Sequence, residues 1–187
     1  LALAIPRIDT KPLAKGLLNE FGGFAGLLTA DAEALARVKG MGEGAVAALK
    51  IVQAASLRLL RQRVMDRPVL ASWQALLDYL RADMAHKTTE RVRVLHLNSR
   101  NMLIRDEAMA EGSIDQAAIH PREVIRRAID LGSAAIILVH NHPSGDPAPS
   151  RADIALTRDI ADAGKKLGIT VHDHIVIGAN GHSSMRT

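Results

Sequence analysis

The sequence predicts an α/β protein: an α-β-α sandwich with a mixed sheet, preceded by a small all-α domain. Three observations carry that expectation. Ser133 to Val139 is a short, almost wholly apolar run with β-branched residues at its centre, as in a strand covered on both faces. Arg91 to Met109 holds two alternating runs around a turn at Asn98 to Asn101, the pattern of an antiparallel pair. Between residues 10 and 65, apolar side chains recur at helical spacing.

Taken in order, Lys11 to Glu20 reads as a helix stopped by Phe21-Gly22-Gly23, and Phe24 to Leu28 as a second short one. Thr29 or Asp31 can cap a third carrying Leu35 and Val38. Gly40-x-Gly42 then precedes a long helix with Val46, Leu49, Ile51, Val52 and Leu59 on it. Leu60 to Ser72 reads as a charged tether broken by Pro68, which sets domains at 1–67 and 68–187. Ser72 is placed to cap the helix WQALLDYLRADM, whose stripe is Trp73, Leu76, Leu77 and Leu80. A strand over Arg91 to Asn98, its partner over Met102 to Met109 and a helix from Pro121 to Gly132 follow. The apolar strand, a Pro-rich loop, a helix from Ser150 to Leu167 and a last strand over Ile169 to Ile177 complete the chain.

Composition bounds what such a chain does. At 187 residues it can bury one good core or two small ones, and 48% apolar with only 2% aromatic makes that core aliphatic. No stretch approaches the ~20 apolar residues of a membrane span, and no secretory pattern opens the chain. A cytoplasmic protein with no membrane partner is expected. With no cysteine, disulfides and thiolate ligands are excluded, so any metal sits on N and O donors. From the start at Leu1 rather than Met, a fragment or trimmed product is expected. Residues 1–67 hold 10 Lys and Arg against 6 Asp and Glu, whereas 68–187 are balanced. That surplus suits phosphate contacts or a solvated surface equally.

The chemistry concentrates after the apolar strand. His140 and His142 close it, and residues i and i+2 of an extended segment project from one face, so the imidazoles can converge. Pro143, Gly145, Pro147 and Pro149 forbid regular structure, and Ser150 opens a helix whose fourth residue is Asp153. Two His and one Asp are three protein ligands for one zinc ion per chain, leaving the fourth tetrahedral position for water. Taken singly, Ser150-x-x-Asp153 reads as a capping box, and Asp146 is a reserve carboxylate.

His140-x-His142-Pro143, six residues, then Ser150-x-x-Asp153 resembles the JAMM motif of JAB/MPN-type zinc metallopeptidases, and HNHPSGDPAPS resembles its bacterial RadC branch. The resemblance implies a cytidine-deaminase-like fold, zinc on His140, His142 and Asp153, and Ser150 stabilising a tetrahedral intermediate. It also implies an upstream glutamate as general acid/base. Glu90, Glu107, Glu111 and Glu123 stand upstream, and the residues alone leave the choice open. Glu90, at the start of a strand after a helix and turn, occupies the family's position. The substrate implied is a peptide or isopeptide. His120 departs from the Tyr frequent in RadC relatives, and the C-terminal stretch lacks their aromatic residue. His172 and His174 read as support for the centre or strand packing, with a second metal site as the sharper reading.

Val38 to Ala45 resembles a helix-hairpin-helix module, with Gly40 and Gly42 as the hairpin and Lys39 and Lys50 as the nearest cations. Such a module offers backbone N–H groups to phosphates of double-stranded DNA. Gly40, Gly42 and Lys39 are its candidate contacts, and the same residues also suit a plain Gly-capped turn. A repair-associated DNA-binding protein is therefore the alternative to a hydrolase. Nothing in the sequence fixes the oligomeric state.

Overall fold

In a computed structural model, residues 1–112 and 119–186 are described, without the side chains of 111 and 112. The chain divides into two compact units, Leu1–Leu60 and Arg61–Thr187.

The first unit is helical: α1 (Lys11–Glu20), α2 (Phe24–Thr29), α3 (Ala32–Ala36) and the start of α4 (Glu43–Met65). Its core is Leu17, Leu27, Leu35, Met41, Ala45 and Val46. Asp31 stands at the start of α3, while the Thr29 hydroxyl turns back to the Ala25 carbonyl oxygen at 2.8 Å. Gly40, between α3 and α4, has φ of 95°, a left-handed value that a side chain rarely adopts.

The expected tether from Leu60 to Ser72 is corrected: α4 runs on to Met65, and Val69–Ser72 forms a single 3-10 turn. Pro68 ends the helix from three positions away, because Leu60 to Met65 are all competent helix formers. Ser72 stands first before α5 (Trp73–Met84), yet its hydroxyl donates to the Pro68 carbonyl oxygen at 3.1 Å and does not cap the helix.

The second unit is an α-β-α sandwich. Its strands are β1 (Glu90–Leu97), β2 (Leu103–Gly112), β3 (Ala135–Asn141), β4 (Thr170–Gly178) and β5 (Gly181–Ser184), in the order β2-β1-β3-β4-β5. Only β3 and β4 run parallel, joined by α7 (Arg151–Lys166); the other neighbours are antiparallel. All seven residues of β3 are buried, which is why its sequence shows no alternation. On one face α6 (Pro121–Asp130) and α7 cover the sheet, with Val124, Ile125, Ala128 and Ile160 packed on Val92, Val94, Ile136 and Leu138. Toward α5, Arg93 of β1 pairs with Asp83 of that helix and with Asp106 of β2, and Tyr79 donates to Asp106 at 2.7 Å. Burial, and then the Asp106 charge, push the Tyr79 phenol up to about 12.

The last strand is not the end of the sheet, as the sequence reading had it. Residues 179–180 turn the chain, and β5 returns along β4 as an edge.

Candidate metal centre

β3 positions two ligand-type side chains and α7 a third. His140 is the sixth residue of β3, and His142 follows one residue past its end, its amide still bonded to the Ile177 carbonyl oxygen at 2.9 Å. Period-2 alternation puts both imidazoles on the face covered by α6 and α7. Their Nε2 atoms lie 2.9 Å apart. Asp153 Oδ1 stands 3.4 Å from His140 Nε2, and Asp153 Oδ2 stands 3.6 Å from His142 Nε2. Among the described residues, these three form the one His/Cys/Asp/Glu group able to hold a metal ion.

The loop that delivers Asp153 is pinned rather than loose. Gly145, with φ of 84°, donates its amide to the His142 carbonyl oxygen at 3.0 Å, and its own carbonyl oxygen accepts from Asn180 N at 3.2 Å. A Cβ at Gly178 would lie 2.3 Å from that carbonyl oxygen, so loop and strand touch only because residue 178 has no side chain. Asp146 uses its carboxylate on Ala148 N at 2.9 Å, and so serves as a loop turn rather than a spare ligand.

The Asp153 carboxylate faces both the helix start and the two imidazoles. Ser150 N donates to Asp153 Oδ2 at 2.7 Å and Asp153 N donates to Ser150 Oγ at 3.1 Å, a complete capping box at the start of α7. Cap and ligand reading therefore coexist. Burial alone would raise the carboxyl pKa, but the adjoining His140 imidazole and the hydrogen bonds at Ser150 hold it well below the ordinary range. The exposed Ser150 spends its hydroxyl only as an acceptor in the cap, which leaves its single hydrogen for a neighbour in the site.

The donor set fits a small divalent cation. His142 Nδ1 lies 2.9 Å from the Asp146 carbonyl oxygen, which can only accept, so the hydrogen sits on Nδ1 and the neutral ring's Nε2 is a bare lone pair. Zinc bonds of about 2.0–2.1 Å in a tetrahedron separate ligand atoms by about 3.3 Å, close to the distances found here. The chemistry, two imidazoles and one carboxylate, is that of a site with a position left open.

Sheet register brings Glu90 to this centre. Val92 pairs with His140, so Glu90, two residues earlier on β1, falls on the same face opposite position 142. Asn141 holds that strand end: its Oδ1 accepts from Arg91 N at 2.9 Å and its Nδ2 donates to the Thr89 carbonyl oxygen at 3.1 Å. Of the other glutamates, Glu107 is tied to Arg127 at 2.7 Å and Glu123 is exposed in the first turn of α6. The Glu111 side chain lies outside the described residues.

His172 and His174 do not share a partner. A β-bulge falls opposite them between Ile136 and Ile137, and His172 Nε2 reaches Asn101 Oδ1 at 2.8 Å. His174, 1% exposed, lies between His140 Nδ1 at 2.7 Å and Thr157 Oγ1 at 2.6 Å. Burial, with the His140 charge adding to it, pushes its pKa down to about 3. Thr157 escaped the sequence reading altogether, since its only signal is a hydroxyl four residues after Asp153 on the same helix face.

In the first unit, Lys39 is exposed beside Gly40, and Gly42 is also exposed. Lys50 is turned inward: its Nζ donates to the Ala30 and Leu28 carbonyl oxygens and to Gln53 Oε1, so it is not a phosphate-facing cation.

Among known proteins, the family profile described as the RadC-like JAB domain matches residues 70–187. A UPF0758 protein of Rhodobacter capsulatus is 54% identical over 183 residues, covering 98% of this chain and 86% of its own length. A UPF0758 protein of Ruegeria pomeroyi is 51% identical over 183 residues, covering 98% of this chain and 82% of its own.

Proposed function

Because the chain belongs to the RadC-like JAB domain family, we propose that it is a zinc-dependent hydrolase of the JAMM type that cleaves a peptide or isopeptide amide. The observation carrying this reading is the meeting of His140 Nε2, His142 Nε2 and an Asp153 carboxylate oxygen at the carboxyl end of β3.

His140, His142 and Asp153 would hold the zinc, which when bound would supply a Lewis acid for a carbonyl and lower the pKa of a water molecule. Glu90 removes the attacking water's proton at its carboxylate and returns it to the leaving nitrogen, so that OH adds to carbon and H to nitrogen as the C–N bond breaks. Ser150 donates its hydroxyl hydrogen to the carbonyl oxygen as charge develops there, a contribution of about 3 kcal/mol in comparable sites. Asn141 keeps Glu90 in register by bracing the residues on either side of it.

Elemental analysis of the full chain should find about one zinc, absent in His142→Ala. Glu90→Gln should keep the zinc and lose about 10²–10⁴-fold in turnover on a peptide and isopeptide library, judged against a chelator control. Unchanged turnover in Glu90→Gln removes it from the role, and zinc retained by His142→Ala removes the centre.

A second reading rests on the left-handed Gly40 between α3 and α4, the backbone a phosphate-gripping hairpin requires. The first unit then contacts duplex DNA through Gly40, Gly42 and Lys39 without reading sequence. Binding by the full chain should weaken steeply with salt, and Lys39→Ala should lower the slope by about one. Absent or salt-independent binding retires it.

A further inference from the structure

His174 and Thr157 lie outside the ligand set, yet their hydrogen bonds dictate which nitrogen of His140 is bare. The Thr157 hydroxyl donates to the Asp153 carbonyl oxygen at 2.6 Å. A hydroxyl owns one hydrogen, so toward His174 Nδ1, also at 2.6 Å, Thr157 can only accept. The hydrogen of the neutral His174 ring is therefore on Nδ1, and its Nε2 carries a lone pair. That lone pair faces His140 Nδ1 at 2.7 Å, so His140 must donate from Nδ1. What remains on His140 is a bare Nε2, aimed at His142 Nε2 and Asp153 Oδ1.

Resting on the metal-centre reading above, we infer that His174, oriented by Thr157, is a positioning residue that locks His140 in its Nδ1–H tautomer and so presents Nε2 to the cation. Parallel pairing makes the contact possible, because Leu138 pairs with His174 and His140 stands two residues on, over the same face. The chain of donors is also closed. It leaves His140, passes through His174 and Thr157, and ends on the carbonyl of Asp153, whose carboxylate lies 3.4 Å from His140. One circuit across β3, β4 and α7 thus aims two of the three ligands. A residue that merely filled space at 174 would leave the His140 hydrogen undirected.

The test uses the full chain labelled with ¹⁵N-histidine. Long-range ¹H–¹⁵N spectra of the metal-free protein should show His140 protonated at Nδ1, and His174→Leu should shift that population toward Nε2–H. Zinc titration should show His174→Leu weakened about 10–100-fold, the usual cost of losing an outer partner of a ligating histidine. His174→Gln, which can still accept from His140, should recover most of the loss. Thr157→Val, nearly isosteric, should weaken zinc while Thr157→Ser does not, and this pair keeps the inference testable should His174→Leu fail to fold. An unchanged His140 tautomer with unchanged zinc affinity in His174→Leu, or in Thr157→Val, overturns it. Wild-type protein that shows the tautomer dependence but takes up no zinc would support the positioning and overturn the metal centre instead.

Discussion

A methyl group on Gly178 would meet the carbonyl oxygen of Gly145 at 2.3 Å and the nitrogen of Pro147 at 3.0 Å. Both are backbone atoms of the loop between His142 and Asp153, and neither can swing aside as a side chain would. Gly178→Ala should therefore displace the loop, costing about 1–3 kcal/mol of stability and weakening zinc binding together. As a control, Gly16 in α1 has open space around its Cβ position, and Gly16→Ala should stabilise by about 0.5–1 kcal/mol with zinc binding unaltered. Urea unfolding and zinc titration of both variants decide this, and Gly178→Ala with wild-type zinc affinity would contradict it.

The cap that Asp153 makes and the ligand role proposed for it can be separated. The side-chain oxygen of Asn accepts at a helix start much as that of Asp does, but it brings no negative charge to a cation. Asp153→Asn should keep the helix content of the protein in circular dichroism, yet lose more zinc affinity than the ~10–100-fold of an outer partner. Parallel loss of helix and zinc would mean that the cap, not the charge, is what the centre needs.

Arg93 is the counter-charge for Asp83 and for Asp106, whose side chain is 1% exposed. Arg93→Ala leaves a buried carboxylate without its partner, and chemical denaturation should show a loss of about 3–5 kcal/mol. A loss under about 1 kcal/mol, the range of a surface pair, would show that water reaches Asp106.

Burial lowers the folded-state pKa of His96, His172 and His174, with the Arg186 charge adding to it at His172 and the His140 charge at His174. An unfolded chain holds these imidazoles near about 6.5, so below that pH it binds more protons than the folded one. Their contribution is complete above about pH 6.5 and drains away as pH falls, for His174 through its folded value of about 3. Metal-free protein should hold its unfolding free energy from about pH 7.5 to about pH 6.5 and lose it steadily from there to about pH 5. Stability that holds level or rises over that range would show that the three rings accept protons inside the fold.

How much of this was legible in the sequence follows from the range of each interaction. His140 and His142 declare themselves because strand alternation is local, and Asp153 because a capping box is local too. By its own residues Glu90 was one of four glutamates, and only the family's position singled it out; the pairing of Val92 with His140 that sets its face joins residues 48 positions apart. β5 left no trace because Gly181 to Ser184 is polar throughout and makes only an edge. The run of arginines before Pro68 read as solvated chain, although nothing in it opposes a helix. His174 was noticed for its chemistry, but its partner was not, since the contact spans 34 residues and depends on a parallel crossover.

Along the end of β3, neighbouring residues are assigned by turns to unlike tasks: His140 and His142 look toward α7, while Asn141 between them braces β1. A slip of that strand by a single position would swing both rings into the opposite layer and put an amide where a nitrogen donor belongs. The two imidazoles therefore stand or fall together with the alignment of one strand, whatever the loop and α7 do with Asp153.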